Sequence, residues 1–325
     1  MLFFVRSYLL AALLGAVVSG GALAQAYPSA KPIRIIATAA PGGIVDILAR
    51  IMADKVGATI GQRIVVENRP GAGGNIGGDV VAKSPPDGYT LMLSNVGTVA
   101  VHPWLQKDMP FDSLKDLDPV TNVADAPSIV TVYSKLPVAT LKEFIDYAKQ
   151  NKSKVNYGSA GIGTMPHLAA ERFSRLVGIE MTHVPYRGAN PATIDLSVGQ
   201  IQVGFIALGT MRAQVDAGTV RPLAVAAKTR LGGAPNVPTF EEAGVSGYEA
   251  TNWFGIFAAA GTPAPVKAML NEHVNRMLDD PAVLQRLREG GMAPIKESVE
   301  QFAARVRADH AMWGEVVKLA GIKAD

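Results

Sequence analysis

The chain has 325 residues, 31 Lys+Arg against 28 Asp+Glu, 48% hydrophobic residues and no cysteine. That length is enough for about two domains with real cores, and a formal charge of +3 with no Lys/Arg block excludes nucleic acid as an expected partner. The missing cysteine excludes disulfides, thiolate metal sites, cysteine nucleophiles and lipid attachment through an N-terminal cysteine.

Met1 to Ala26 carries Arg6, then an apolar run from Tyr8 to Val18 broken only by Gly15. Small residues follow, ending in Ala22-Leu23-Ala24 or Ala24-Gln25-Ala26. This three-part pattern predicts a cleavable secretory signal peptide. A run of about 11 residues is well short of the ~20 that span a bilayer as a helix, which weighs against an uncleaved anchor. No later segment is long and apolar enough to span, so the mature chain is expected to be exported and soluble.

From Lys31 onward short β-rich runs alternate with helical patterns, which predicts an α/β architecture. The first predicted strand, Ile33–Thr38, leads through Pro41-Gly42-Gly43 into a helix from Ile44, where Ile47, Leu48, Ile51, Met52 and Val56 recur at helical spacing. Glycines at a strand-to-helix turn let backbone approach a ligand, and the free N–H groups and macrodipole of the helix favour an anion there. Asp46, in the first turn, would cap a backbone N–H or order a water beside the ligand. The same residues also read as a tight turn with an ordinary first-turn carboxylate.

After a predicted strand at Arg63–Glu67 comes the richest glycine cluster, Arg69 to Gly78. A dinucleotide fingerprint starting at Gly71 and Gly73 needs a third glycine where Ile76 stands, and no phosphate-loop lysine is present, so a tight loop entering a helix is the favoured reading. A strand at Thr90–Ser94 follows. Asp112 to Asp125 is more polar than its flanks and reads as a crossing between two lobes, ahead of a strand at Ile129–Tyr133. Leu141, Phe144, Ile145 and Ala148 then predict a helix.

The strand Val155–Ser159 ends in a second glycine turn, Ser159-Ala160-Gly161-Ile162-Gly163-Thr164, before a helix from about Met165. Ser159 and Thr164 add hydroxyls to the backbone amides, and Thr164 is equally an N-cap candidate. Ligands of open α/β sheets sit beyond the carboxyl ends of the strands, so two such turns, one per lobe, would grip a carboxylate from both sides. His167 either reaches the ligand or packs and caps in the first turn. Leu168, Ala169, Phe173 and Val177 form a core-facing stripe. Beyond a strand at Met181–Pro185, Arg187 offers a charged fork to a carboxylate or is merely solvated.

Strands at Gln202–Ala207 and Pro222–Ala226 precede the Gly-, Pro- and Glu-rich stretch Gly232–Tyr248, the second candidate crossing. Trp253 and Phe254, before a strand at Gly255–Ala259, read as core or as a cleft wall. The last ~60 residues look helical, punctuated by Pro263, Pro265, Pro281 and Pro294. The expected division is Met1–Ala26 as the signal peptide, residues 27–126 and 249–325 as one lobe, and residues 127–248 as the other. Catalytic patterns are thin. Tyr157 stands where a nucleophile elbow needs glycine before Ser159, and the five histidines show no H-E-x-x-H, so neither a metal nor a cofactor is expected.

These landmarks, in this order, resemble the extracytoplasmic substrate-binding proteins of tripartite tricarboxylate transporters, the Bug proteins. The matching pieces are AAPGGIVDILAR (39–50), VVENRPGAGGNIG (65–77), PPDGYTLML (85–93), VNYGSAGIGTMPHLAAERF (155–173), THVPYRGANPATIDLSVGQIQVGF (182–205) and NWFGIFAAAGTP (252–263). The resemblance implies a two-lobed periplasmic-binding-protein (Venus flytrap) fold, each lobe a mixed, largely parallel sheet flanked by helices. It implies a periplasmic protein that closes on a small organic acid and delivers it to a membrane permease of one large and one small subunit. It places ligand contacts at Ala40, Pro41, Gly42 and Gly43 with Asp46, and at Ser159, Ala160, Gly161, Gly163 and Thr164. Ser94 and Asn95 are weaker candidates, beside His167 and Arg187. Members often carry an Asp-Asn pair where Ile206 and Ala207 stand here. Without that carboxylate a ligand ammonium lacks its natural partner, so the expected ligand is an acid without an amino group: a mono-, di- or tricarboxylate, aromatic acids included. A monomer is expected. The alternatives are a ligand sensor for a membrane receptor and a secreted hydrolase using Ser159 and His167.

Overall fold

The computed structural model describes residues 27–152 and 154–322; the expected signal peptide, Met1–Ala26, lies outside them. β1 (Ile33–Ala37) buries every residue except Arg34 and pairs in parallel with β2 (Ile64–Asn68) and β3 (Thr90–Asn95). Each of these strands feeds a helical segment at its carboxyl end. β1 leads to α1 (Ile44–Ile60), β2 to α2 (Asn75–Ala82), and β3 to a π-turn at Gly97–Val101 that continues into α3 (His102–Leu105). Alternation decides the layers. Ile33, Ile35 and Ala37 pack with Leu48 and Met52 of α1 on one face of the sheet, while Ile36 joins the core of the opposite face.

β4 (Leu117–Tyr133) is the longest strand and corrects the sequence reading. Residues 117–125, expected as part of a polar crossing, are strand. Their polar side chains are matched by partners far along the chain: Asp118 by Lys267 at 2.7 Å and Asp125 by Arg305 at 2.7 Å. Asn122 donates to Asp125 Oδ1 at 2.9 Å. The amino half of β4 runs antiparallel to β9 (Thr251–Ala259), which itself lies beside β3.

The carboxyl half of β4 belongs to the second lobe. Between them the chain forms α4 (Leu141–Gln150), β5 (Asn156–Ser159), α5 (Met165–Val177), β6 (Thr182–Pro185) and α6 (Ala189–Val198). It continues as β7 (Val203–Ala207), α7 (Leu208–Asp216) and β8 (Val220–Val225). β7 and β8 pair antiparallel with β4, and β5 and β6 extend the sheet in parallel. One ten-stranded sheet thus runs through both lobes, in the order β2-β1-β3-β9-β4-β7-β5-β6 with β8 and β10 (Ala293–Pro294) also on β4. At the crossing Ser128 is held on both backbone groups: its N–H donates to Ala250 O at 3.1 Å, and its carbonyl accepts from Ala226 N–H at 2.9 Å.

After β9 come α8 (Ala264–Met277), α9 (Pro281–Glu289) and α10 (Val299–Ala320), the last opened by a Ser298/Gln301 capping box. α10 touches both lobes: Trp104 Nε1 donates to His310 O at 2.8 Å, and the Arg175 guanidinium donates to Leu319 O. Trp253 and Phe254 are buried on opposite faces of β9, which makes them core. Trp253 packs edge-on to Phe302, and Gly255 leaves room for that ring, because a Cβ there would lie 2.2 Å from Phe302 Cζ. Gly255→Ala is therefore expected to destabilise the fold by ~1–3 kcal/mol through overpacking. A thermal melt reads this as a fall of several degrees, and an unchanged melt would mean that Phe302 moves freely.

Candidate functional site

The first turn lies at the carboxyl end of β1. Ala40, Pro41 and Gly42 are exposed and Gly43 is half-buried. Gly42 has φ +83°, a left-handed conformation that suits glycine. Asp46 is buried, and its carboxylate is fully engaged inside the protein. It accepts from the Gly42 N–H at 2.9 Å and the Asn68 amide at 2.9 Å, and takes the Arg50 fork at 3.0 Å on each oxygen. The Arg50 hydrogen bond first, then Gly42 and Asn68, outweigh burial and hold Asp46 down at about 2. Asp46 is therefore a brace under the turn, its charge matched by Arg50. α1 begins at Gly43 with no side-chain cap, which leaves its first-turn N–H groups available.

At the neighbouring end of β3, Ser94 is fully buried and accepts from Thr38 Oγ1 at 2.8 Å. Asn95 is half-buried, with its Oδ1 accepting the Thr98 N–H at 3.2 Å. The Arg69–Gly78 cluster packs against this edge: Thr98 Oγ1 donates to Gly73 O at 2.8 Å, and a Cβ on Gly74 would lie 2.4 Å from that hydroxyl. Close packing is what these glycines provide.

The second turn gathers seven of the expected residues at the carboxyl end of β5. Ser159 is fully buried, and its Oγ accepts the Gly161 N–H at 3.1 Å. Thr164 occupies the N-cap position of α5, but its hydroxyl donates to Gly161 O at 2.7 Å and caps no helix N–H. Gly163 N–H donates to His167 Nδ1 at 3.0 Å. Ala160 accepts from the Gly188 N–H at 3.2 Å, and Tyr186 N–H donates to Ser159 O at 3.1 Å, which sets Arg187 beside the turn. Arg187 is exposed, and among the described residues it has no ion pair or hydrogen bond. The result is an unpaired guanidinium next to an uncapped helix start. Across from it, Leu105 of α3 touches the turn, since a Cβ on Gly163 would meet Leu105 Cδ1 at 2.5 Å. No hydrogen bond among the described residues joins the two glycine turns.

Sequence reasoning missed His183. Its partner in β5 is Tyr157, so Ser159, two residues on, shares the same face. His183 Nε2 lies 2.6 Å from Ser159 Oγ, and its ring stacks on Tyr157 at 4.8 Å and on His167 at 3.9 Å. The serine–histidine pair is thus Ser159 with His183, not His167. Alternation within THVP carried this signal, but only together with the β5–β6 register. A cavity of about 700 Å³ lies elsewhere, between residues 226–249 and 288–313, and none of the expected contacts lines it.

The family model of the tripartite tricarboxylate transporter receptors matches residues 48–322. The chain belongs to that family. It is 34% identical over 301 residues to protein BugT of Bordetella pertussis, covering 92% of each chain. Among solved structures, R. palustris Rpa4515 with adipate is 35% identical, with TM-score 0.75, over 91% of this chain and 99% of that one. MatC of Rhodopseudomonas palustris with bound malate is 30% identical, with TM-score 0.71, over 89% and 99%. The family is one of periplasmic substrate-binding receptors with this two-lobed fold. Among the described residues no helix is long and apolar enough to cross a membrane.

Proposed function

We propose that the protein captures a small organic acid between its lobes in the periplasm and delivers it to a tripartite tricarboxylate-type permease. Export would use the signal peptide Met1–Ala26, the lobes would exchange near residues 126 and 248, and the protein would act as a monomer. The observation that carries the reading is the Arg187 guanidinium, unpaired beside the uncapped start of α5. Guanidinium and helix N–H groups together favour a carboxylate. The uncapped start of α1 supplies the matching half-site in the first lobe. Adipate and malate in the two relatives agree in charge and size. Ile206 is buried and Ala207 half-buried at the end of β7, where neither can hold an ammonium, which favours an acid without an amino group. The open form would expose both half-sites, and a ligand touching both would select the closed form.

Thermal unfolding of residues 27–325 against mono-, di- and tricarboxylic, aromatic and amino acids tests this. A ligand at 100 times its dissociation constant stabilises by ~2.7 kcal/mol, a shift of several degrees. A shift confined to amino acids would overturn the ligand class. Protein that shifts with nothing and releases no acid on denaturation would overturn the function.

A further inference from the structure

The second turn owes its shape to two imidazoles. Gly161 and Gly163 have φ +129° and +74°, and the N–H groups of both point inward, onto acceptors. The Gly163 N–H ends on His167 Nδ1, so the neutral ring carries its proton on Nε2. The Gly161 N–H ends on Ser159 Oγ, which is 2.6 Å from His183 Nε2. The two rings lie face to face, 3.9 Å apart and 8° from parallel, with the Tyr157 ring 4.8 Å from His183 and 6.3 Å from His167. The titratable groups around them are Tyr157 from β5, His183 from β6 and Glu171 from α5; Tyr157 OH donates to Glu171 at 2.7 Å. Arg187 stands exposed on the adjoining turn.

We propose that His167 and His183 are positioning residues, which in their neutral forms hold the turn in its carboxylate-binding shape through the Gly163 N–H and the Ser159 hydroxyl, and that protonation of His167 releases it. This rests on the anion-binding reading of the turn. A proton on His167 Nδ1 would set an N–H against the Gly163 N–H and remove the bond that fixes Gly163. Two imidazolium rings stacked at 3.9 Å would repel, so the pair takes up its protons one after the other. Burial lowers His167 to about 4. Burial, then the charge of His167, lower His183 to about 4 against the opposing pull of Glu171. The turn is thus intact at neutral pH and opens in acid.

The test compares the native protein with His167→Asn, whose amide oxygen can accept the Gly163 N–H and does not titrate. Adipate affinity is measured by calorimetry at pH 7 and pH 4, so that the ligand's own titration cancels in the ratio of the two proteins. The native protein is expected to lose at least ~10-fold more affinity than His167→Asn over that range, about 1.4 kcal/mol. Equal losses would overturn the proposal. In ligand-free protein the Gly163 amide resonance should move with the His167 ring titration, while the Phe254 amide in β9 stays fixed as a control for the fold. A Gly163 amide that ignores that titration would also overturn it. Should neither adipate nor malate bind at pH 7, the binding reading fails for those acids, and the ligand-free titration still decides the role of the histidines.

Discussion

Replacing Arg187 with alanine is expected to weaken carboxylate binding by roughly 10- to 150-fold and to leave the melting temperature of the ligand-free protein unchanged. The two halves of that result have one cause. Arg187 makes no ion pair or hydrogen bond with the described protein, so its removal leaves nothing unpaired in the fold. A ligand carboxylate, in contrast, would lose a charge-assisted bond worth about 1.5–3 kcal/mol. Arg187→Lys should recover part of the affinity, because an ammonium keeps the charge but not the two-pronged geometry. Calorimetry with the acid that gives the largest thermal shift reads both variants. Unchanged affinity in Arg187→Ala would place the guanidinium outside the site.

Asp46→Ala is expected to act on both binding and stability. The carboxylate answers the Gly42 N–H, the Asn68 amide and both prongs of Arg50 from a position 3% exposed. Its loss removes the charge-assisted bonds to the Gly42 N–H, the half-buried Asn68 amide and Arg50, at a cost of about 1.5–3 kcal/mol, a melting temperature lower by several degrees. It also frees Gly42 from its left-handed position, and binding should fall by roughly tenfold or more as the first half-site loses its shape. The pH dependence has a definite sign. Asp46 is held at about 2, below the ordinary carboxylate value of 3.8, so its contribution is complete above about pH 4 and is lost as pH falls toward 2. A melt of Asp46→Ala that matches the native protein at pH 7 would contradict the brace.

Both glycine turns were legible because their signal is local. A strand, a glycine turn and an amphipathic helix lie within about 20 residues of one another, and each piece follows from its own side chains. What escaped was non-local. Asp118 and Asp125 read as linker because their polarity is visible in the chain, whereas Lys267 and Arg305, which make a buried strand tolerable there, lie 149 and 180 residues away. His183 escaped for a related reason. Its reach to Ser159 depends on the register of β6 on β5, and a one-residue slip would turn it to the other face. Asp46 was legible as a first-turn carboxylate, but Asn68, which helps define it as a brace, comes from the next strand.

The place of β9 between β3 and β4 governs the order in which the chain can fold. Every strand of the second lobe, from the carboxyl half of β4 to β8, lies within residues 128–225, so that lobe has its whole sheet as soon as β8 emerges from the ribosome. The first lobe does not. β1, β2 and β3 are synthesised early, yet β3 and β4 have nothing to join them until residues 251–259 arrive, and α10, which covers Phe257, comes last of all. Contacts that span most of the chain form slowly, because loop closure precedes any gain from packing. An amino-terminal lobe that closes so late leaves the facing edges of β3 and β4 without their partner until the chain is nearly complete, which makes that pair of edges the place where misassembly starts.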